Sequence, residues 1–318
     1  MTEPNFFLIG AGKAGTTSLA RHLDGHPDIF VCKPKEPRFL CYPDGRPQFK
    51  GPSDDRLFVP ESRQAYRDLF KSAKSTAVVG DASTWYLTHP EAPAHIQTLY
   101  PNAKSVAVLR NPCERSFSHW MHLIREQVEP ISDFIEACEA EKDRKSKGYA
   151  PHWWYLTQSL YAEGLQRYFD RFPREQIQVH LYDDFVADPM KVISKTYEFL
   201  GVSADHHPNT KEKLNIGGIP RNKSLQRYLE RSAWGGNDPF RPLKLLFPKR
   251  FRSTMRRKIE EANLITDRHL TSKERTYLLQ KFDDDVRSLE TMIGRDLSIW
   301  RGQSGTSLDT RRCKEAAA

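Results

Sequence analysis

The stretch "FFLIGAGKAGTTSLARHL", Phe6 to Leu23, constrains this chain more than any other. An apolar run predicts a strand over Asn5–Ile9, the glycine-broken segment Gly10–Gly15 a turn, and Thr16–His22 a helix. A helix that starts at such a turn offers backbone N–H groups and the positive end of its dipole to an anion. Gly10 and Gly15 have the spacing of a phosphate loop, but that loop needs a lysine directly after its second glycine. Thr16 stands there, and the loop's only lysine, Lys13, lies inside the turn. Thr16, Thr17 and Ser18 bring three hydroxyls to the first helical turn, where they either cap the helix or reach a ligand. The spacing therefore favours phosphate binding over ordinary ATP chemistry. A plain strand-to-helix turn with a solvated lysine is the bland alternative.

Downstream the pattern repeats. Short apolar runs at Ile29–Val31, in "STAVVGDAS", in "AKSVAVLRNP" and at Ile177–Tyr182 predict strands. Helical stretches are expected at Glu61–Ala73, Glu114–Glu126, Leu160–Phe172, Met190–Leu200 and Tyr277–Ile293. In the second of these Phe117, Met121 and Ile124 recur at helical spacing; Leu278, Phe282, Val286, Leu289 and Ile293 do so in the last. Strands separated by helices predict an α/β fold, a parallel sheet with helices on both faces, which together with the phosphate-loop-like start resembles the P-loop-NTPase kind. Tyr42–Pro60, dense in proline and glycine, reads as an irregular excursion, and Trp234–Pro248 as a loose surface segment. No repeat or linker divides the chain. One domain over residues 1–301 and a disordered tail over 302–318 are expected.

The net charge of +8 favours anionic partners. Five scattered cysteines, Cys32, Cys41, Cys113, Cys138 and Cys313, form no metal or disulfide spacing, which suits a reducing compartment. No signal peptide and no membrane-spanning run is visible, so a soluble cytoplasmic protein is expected.

"GAGKAGTTSL" resembles the 5′-phosphosulfate loop, K-x-G-T-[ST]-x-L, of sulfotransferases that use 3′-phosphoadenylyl sulfate (PAPS). Two further stretches strengthen the resemblance. "VAVLRNPCERSFSHW" is similar to the family's 3′-phosphate motif, an arginine ending a strand and a serine eight residues on, here Arg110 and Ser118. A guanidinium grips phosphate with two donors, and a helix hydroxyl adds another. "PKEPRFL" resembles the K-E-x-x-[FY]-F segment of glycosaminoglycan-type and many bacterial members. The resemblance spans about Phe6 to Leu200 and weakens beyond Asp205.

It implies transfer of a sulfuryl group from PAPS, as co-substrate and without a metal, to an acceptor hydroxyl or amine, a carbohydrate or other small metabolite. Glu36 is then the catalytic base, kept ionised by Lys33 and Lys35, and Lys13 stabilises the leaving phosphate. Lys13, Ala14, Gly15, Thr16, Thr17 and Ser18 cradle the 5′ end, and Arg110 and Ser118 the 3′-phosphate. Arg221, in the basic loop "IGGIPRNKS", closes the far side. Trp85 either stacks on the adenine or belongs to the core. Tyr42–Pro60 and the region Tyr149–Leu160 are expected to shape the acceptor cleft, its aromatics Trp153, Trp154 and Tyr155 either stacking on a sugar or ring or belonging to the core. The chain departs from the Glu-Lys-[ST]-Pro segment of such relatives: "GDASTWY" has Asp81 and no lysine, so a second lysine is either absent or replaced by Lys33 or Lys35.

Three other readings compete. A P-loop kinase would use Asp81 to hold magnesium. A non-enzymatic polyanion-binding module would use the basic run Lys244–Lys258, although nucleic acid is not the expected partner. Within the sulfotransferase reading, His119 or His122, close to Ser118 on one helix, competes with Glu36 as base.

Overall fold

The structure is a computed structural model that describes residues 3–73, 76–210, 219–222, 225, 255, 258–259, 262–265 and 268–302. Its centre is a five-stranded sheet. The strands are β1 (Phe6–Gly10), β2 (Ile29–Val31), β3 (Val78–Ala82), β4 (Lys104–Leu109) and β5 (Ile177–Leu181). They lie in the order β2-β3-β1-β4-β5, and every pairing is parallel. Each residue of β1 and β3 is buried, as expected of strands covered by helices on both faces of the sheet.

From β1 the chain runs through α1 (Thr16–Asp24) to the β2 edge, then through α2 (Arg63–Asp68) back to β3 beside β1. It then passes through α3 (Ala92–Leu99) and crosses β1 to reach β4 on the other side. Loops leaving β1, β3 and β4 therefore emerge side by side at one end of the sheet, where open parallel sheets bind ligands. Helix α4 (Pro112–Arg125) follows β4, and then come α5 (Phe134–Glu139), α6 (Glu141–Ser146) and α7 (Ala162–Phe169). Beyond β5 the chain forms α8 (Tyr182–Ala187) and α9 (Pro189–Leu200). Two short antiparallel strands, β6 (Ile219–Pro220) and β7 (Leu264–Ile265), precede α10 (Ser272–Ile293).

Helix α10 starts at a reciprocal cap, the Thr271 hydroxyl accepting from the Glu274 amide and the Glu274 carboxylate from the Thr271 amide. It buries Leu278, Phe282, Val286 and Leu289 and packs on α4, α5 and α7. The expected helix over 61–73 is shorter. Ser62 caps α2, which ends at Asp68, and a separate 3₁₀ turn spans Lys71–Ala73. Cys32, Cys41, Cys113 and Cys138 are free, buried thiols. The segment 234–248, nearly all of the basic run Lys244–Lys258, and the tail apart from Gly302 lie outside the described residues.

Candidate active site

At the end of β1, Gly15 has φ +83° and begins α1, and no side chain caps the first amides of that helix. A Cβ on Gly15 would meet the rings of Phe185 and Tyr182 at 3.1 and 3.2 Å. The first turn of α1 carries no acidic residue, so its free N–H groups and dipole are open to an anion. Two loop carbonyls are tied back by guanidinium groups. Arg110 donates to the Lys13 carbonyl at 3.2 Å, and Arg115 donates to that of Gly12 at 3.2 Å. Lys13 takes the left-handed backbone, φ +69°. Burial, and after it the Arg125 cation, lowers its ammonium to a pKa of about 8.

Arg110 follows β4 directly, and its guanidinium lies 4.8 Å from the centroid of the Tyr182 ring. Arg115, one turn into α4, is fully buried and also donates to the Ser159 hydroxyl and the Tyr155 carbonyl. Ser118 is half-buried on the same helix. Arg221 is exposed at the end of β6, which runs against α4, and its amide donates to the Asn263 carbonyl at 2.7 Å. Part of its loop, residues 216–218 and 223–224, lies outside the described residues.

Glu36 reaches the same end of the sheet from the segment after β2. Its amide donates to Ala82 at 3.0 Å, and it too has a left-handed backbone, φ +64°. Its carboxylate accepts from the Thr84 amide at 2.9 Å, the Thr84 hydroxyl at 3.0 Å and the Lys35 ammonium at 2.7 Å. Arg38 stands 3.7 Å away. Burial alone would raise this carboxyl; the Lys35 and Arg38 cations and the hydrogen bonds outweigh it and hold the pKa below its ordinary value. Thr84 also borders the loop, its hydroxyl 3.4 Å from where a Cβ on Gly12 would sit. Lys13, Arg110 and Glu36 are thus joined through direct neighbours at one end of the sheet.

Several expectations need correction. Lys33 does not support Glu36; it is exposed and pairs with Asp24 at 2.8 Å, leaving Lys35 and Arg38 as the cations there. Of the two readings of Trp85 the structure bears out the core one: it is only 5% exposed, packed against the Arg38 guanidinium at 4.6 Å and the His152 ring. Trp153 and Tyr155 are core residues bonded to Asp54 and Glu129 and do not line a cleft, whereas Trp154 is half-buried.

Asp81 is buried and accepts from the Tyr66, Tyr86 and Ser83 hydroxyls at 2.8, 2.7 and 2.7 Å. Burial raises its pKa to about 6 against the pull of those bonds. With both oxygens engaged, it is a buried anchor and not the open carboxylate that a kinase's magnesium needs. His119 is buried with Nδ1 against Arg115, and burial, then the Arg115 charge, drives its pKa well below the usual range. His122 has Arg125 on Nδ1 and Glu126 on Nε2. Neither imidazole is free to take a proton as it stands.

Sequence reasoning missed Arg115, Thr84, Tyr182 and Tyr161. For Arg115 a signal was present: Arg115, His119 and His122 form a polar stripe at helical spacing on α4.

A model of the sulfotransferase family matches residues 4–206. A crystal structure of a sulfotransferase from Alicyclobacillus acidocaldarius is 32% identical, with a TM-score of 0.73 over 95% of this chain and 100% of that one. The membrane-associated sulfotransferase kil1 of Dictyostelium discoideum is 24% identical over 71% of this chain. The mouse bifunctional heparan sulfate N-deacetylase/N-sulfotransferase 1 is 29% identical over 64% of it. The matches cover 62% and 23% of the lengths of these two relatives.

Proposed function

This chain belongs to the sulfotransferase family, and from that premise we propose that it moves a sulfuryl group from PAPS to a hydroxyl or amine of a carbohydrate or other small metabolite. The reading is supported by the meeting of the Lys13 loop, Arg110 and Glu36 at one end of the sheet, Glu36 joined to the loop through Thr84. We assign the activity to one domain over residues 1–301.

The residues present fit this donor. The uncapped, acid-free first turn of α1 suits a 5′-phosphosulfate, held by Lys13, Ala14, Gly15, Thr16, Thr17 and Ser18. Arg110 and Ser118 suit the ribose 3′-phosphate, with Arg221 closing over it. When bound, the donor supplies a sulfuryl group whose bridging S–O bond breaks to leave adenosine 3′,5′-bisphosphate. Lys13 sets positive charge beside that oxygen as negative charge grows on it. Its pKa of about 8 keeps it mostly cationic at neutral pH.

Glu36 removes the proton from the acceptor O–H or N–H as the new bond to sulfur forms. Its lowered pKa makes it a modest base that is always ready, and Thr84 fixes its direction. Positioning and charge stabilisation do most of the work in a loosely bonded in-line transfer of this kind. Neither a metal nor a second lysine is assigned a role. Among the described residues no helix is long and apolar enough to cross a membrane.

The test is label transfer from radioactive PAPS to a panel of saccharide, phenol and amine acceptors. Label is expected on at least one acceptor, without added magnesium. ATP-dependent, magnesium-dependent labelling in place of sulfuryl transfer would overturn the reading.

A further inference from the structure

Arg110 is gripped from a direction that the phosphate-binding motif does not include. The Tyr161 side chain is fully buried, and its hydroxyl donates to the Arg110 carbonyl at 3.0 Å. Tyr161 is itself held from the far end of the chain. Asp285, on α10, accepts the Tyr161 amide at 2.9 Å on one carboxylate oxygen and the Ala162 amide at 3.0 Å on the other. Helix α7 has no side-chain cap of its own at Tyr161, so this distant carboxylate takes that place. It satisfies two backbone donors and sets negative charge at the positive end of the helix.

We propose that Tyr161, anchored by Asp285, is a positioning residue that sets Arg110 for the ribose 3′-phosphate; this rests on the reading of Arg110 as the 3′-phosphate ligand. Arg110 lies in the two-residue connection between β4 and α4, where neither element's hydrogen-bond ladder controls its backbone. Its guanidinium is held by the Lys13 carbonyl and the Tyr182 ring. The Tyr161 hydroxyl supplies the constraint on the peptide behind it, and so fixes where the guanidinium fork starts. Asp285 lies beyond residues 4–206, so a helix outside the family-model match acts on the phosphate grip.

The experiment compares two nucleotides by calorimetry: adenosine 3′,5′-bisphosphate, and adenosine 5′-phosphosulfate, which lacks the 3′-phosphate. Tyr161→Phe keeps the ring and both amide bonds to Asp285 and removes only the hydroxyl. It is expected to weaken the bisphosphate by about five- to tenfold and to leave the phosphosulfate within about twofold. At saturating PAPS, kcat stays near the parent value. Asp285→Asn is expected to raise the same ratio by a smaller factor, and an unchanged ratio removes Asp285 from the proposal. Equal weakening of both nucleotides by Tyr161→Phe, or no weakening of either, overturns it. Arg110→Lys is the separate control. If Arg110→Lys fails to lose 3′-phosphate discrimination, the reading of Arg110 falls instead.

Discussion

Lys13, Glu36 and Arg38 have backbone φ of +69°, +64° and +54°, a region that costs an L-residue roughly 1–2 kcal/mol each. Two of the three are the proposed catalytic pair, and strain of this kind gathers where side-chain direction matters more than backbone ease. Replacing Glu36 by Gln keeps a partner for Thr84 but removes the proton acceptor. Turnover should drop by about 10²- to 10⁴-fold with the affinity for adenosine 3′,5′-bisphosphate unchanged. Near-parental turnover would remove Glu36 from the mechanism. The pH profile tests Lys13. A lysine lowered to about 8 is cationic below that pH, so kcat/KM for PAPS should fall as pH rises through about 8. Lys13→Arg should shift that alkaline limb upward, because a guanidinium stays charged. Glu36 acts in the opposite sense. Its lowered pKa keeps the carboxylate ionised, and the acidic limb lies below the ordinary carboxylate range.

Among the elements, α7 depends on a close approach that the apolar pattern does not reveal. A Cβ on Gly164 would lie 2.2 Å from the Leu87 carbonyl oxygen, in the segment that follows Thr84. Gly164→Ala should therefore push α7 off that segment and cost about 1–3 kcal/mol, read as a lower denaturant midpoint. An unchanged midpoint would mean that the contact yields freely. Most elements were legible because each carries its own local signal: β1 and β4 as apolar runs, α4 and α10 as helical stripes. The 61–73 segment broke apart because Ser62 caps a single short helix; Phe70, past its end, is buried against the core.

For the whole molecule, one carboxylate joins segments far apart in sequence. Asp54 is fully buried in the Tyr42–Pro60 excursion and accepts from the Gly51 amide, the Ala150 amide and the Trp153 indole at 2.8, 2.9 and 2.9 Å. Asp54→Ala leaves those donors unpaired and should cost about 3 kcal/mol or more. Chemical denaturation measures this; a loss under about 1 kcal/mol would show that water replaces the carboxylate. The same bonds decide the role of Trp153: composition marks an aromatic as a stacking surface or as core, and only its neighbours decide which. By itself the sequence determined a β-loop-α start, alternating strands and helices, and the three motif stretches around Lys13, Glu36 and Arg110, since each is written within a few neighbouring residues. The tertiary structure alone decided which side chains meet. Parallel strands order their loops by position in the sheet and not by position in the chain, so Thr84 beneath Glu36, Arg115 behind Gly12 and Tyr161 against Arg110 are long-range facts.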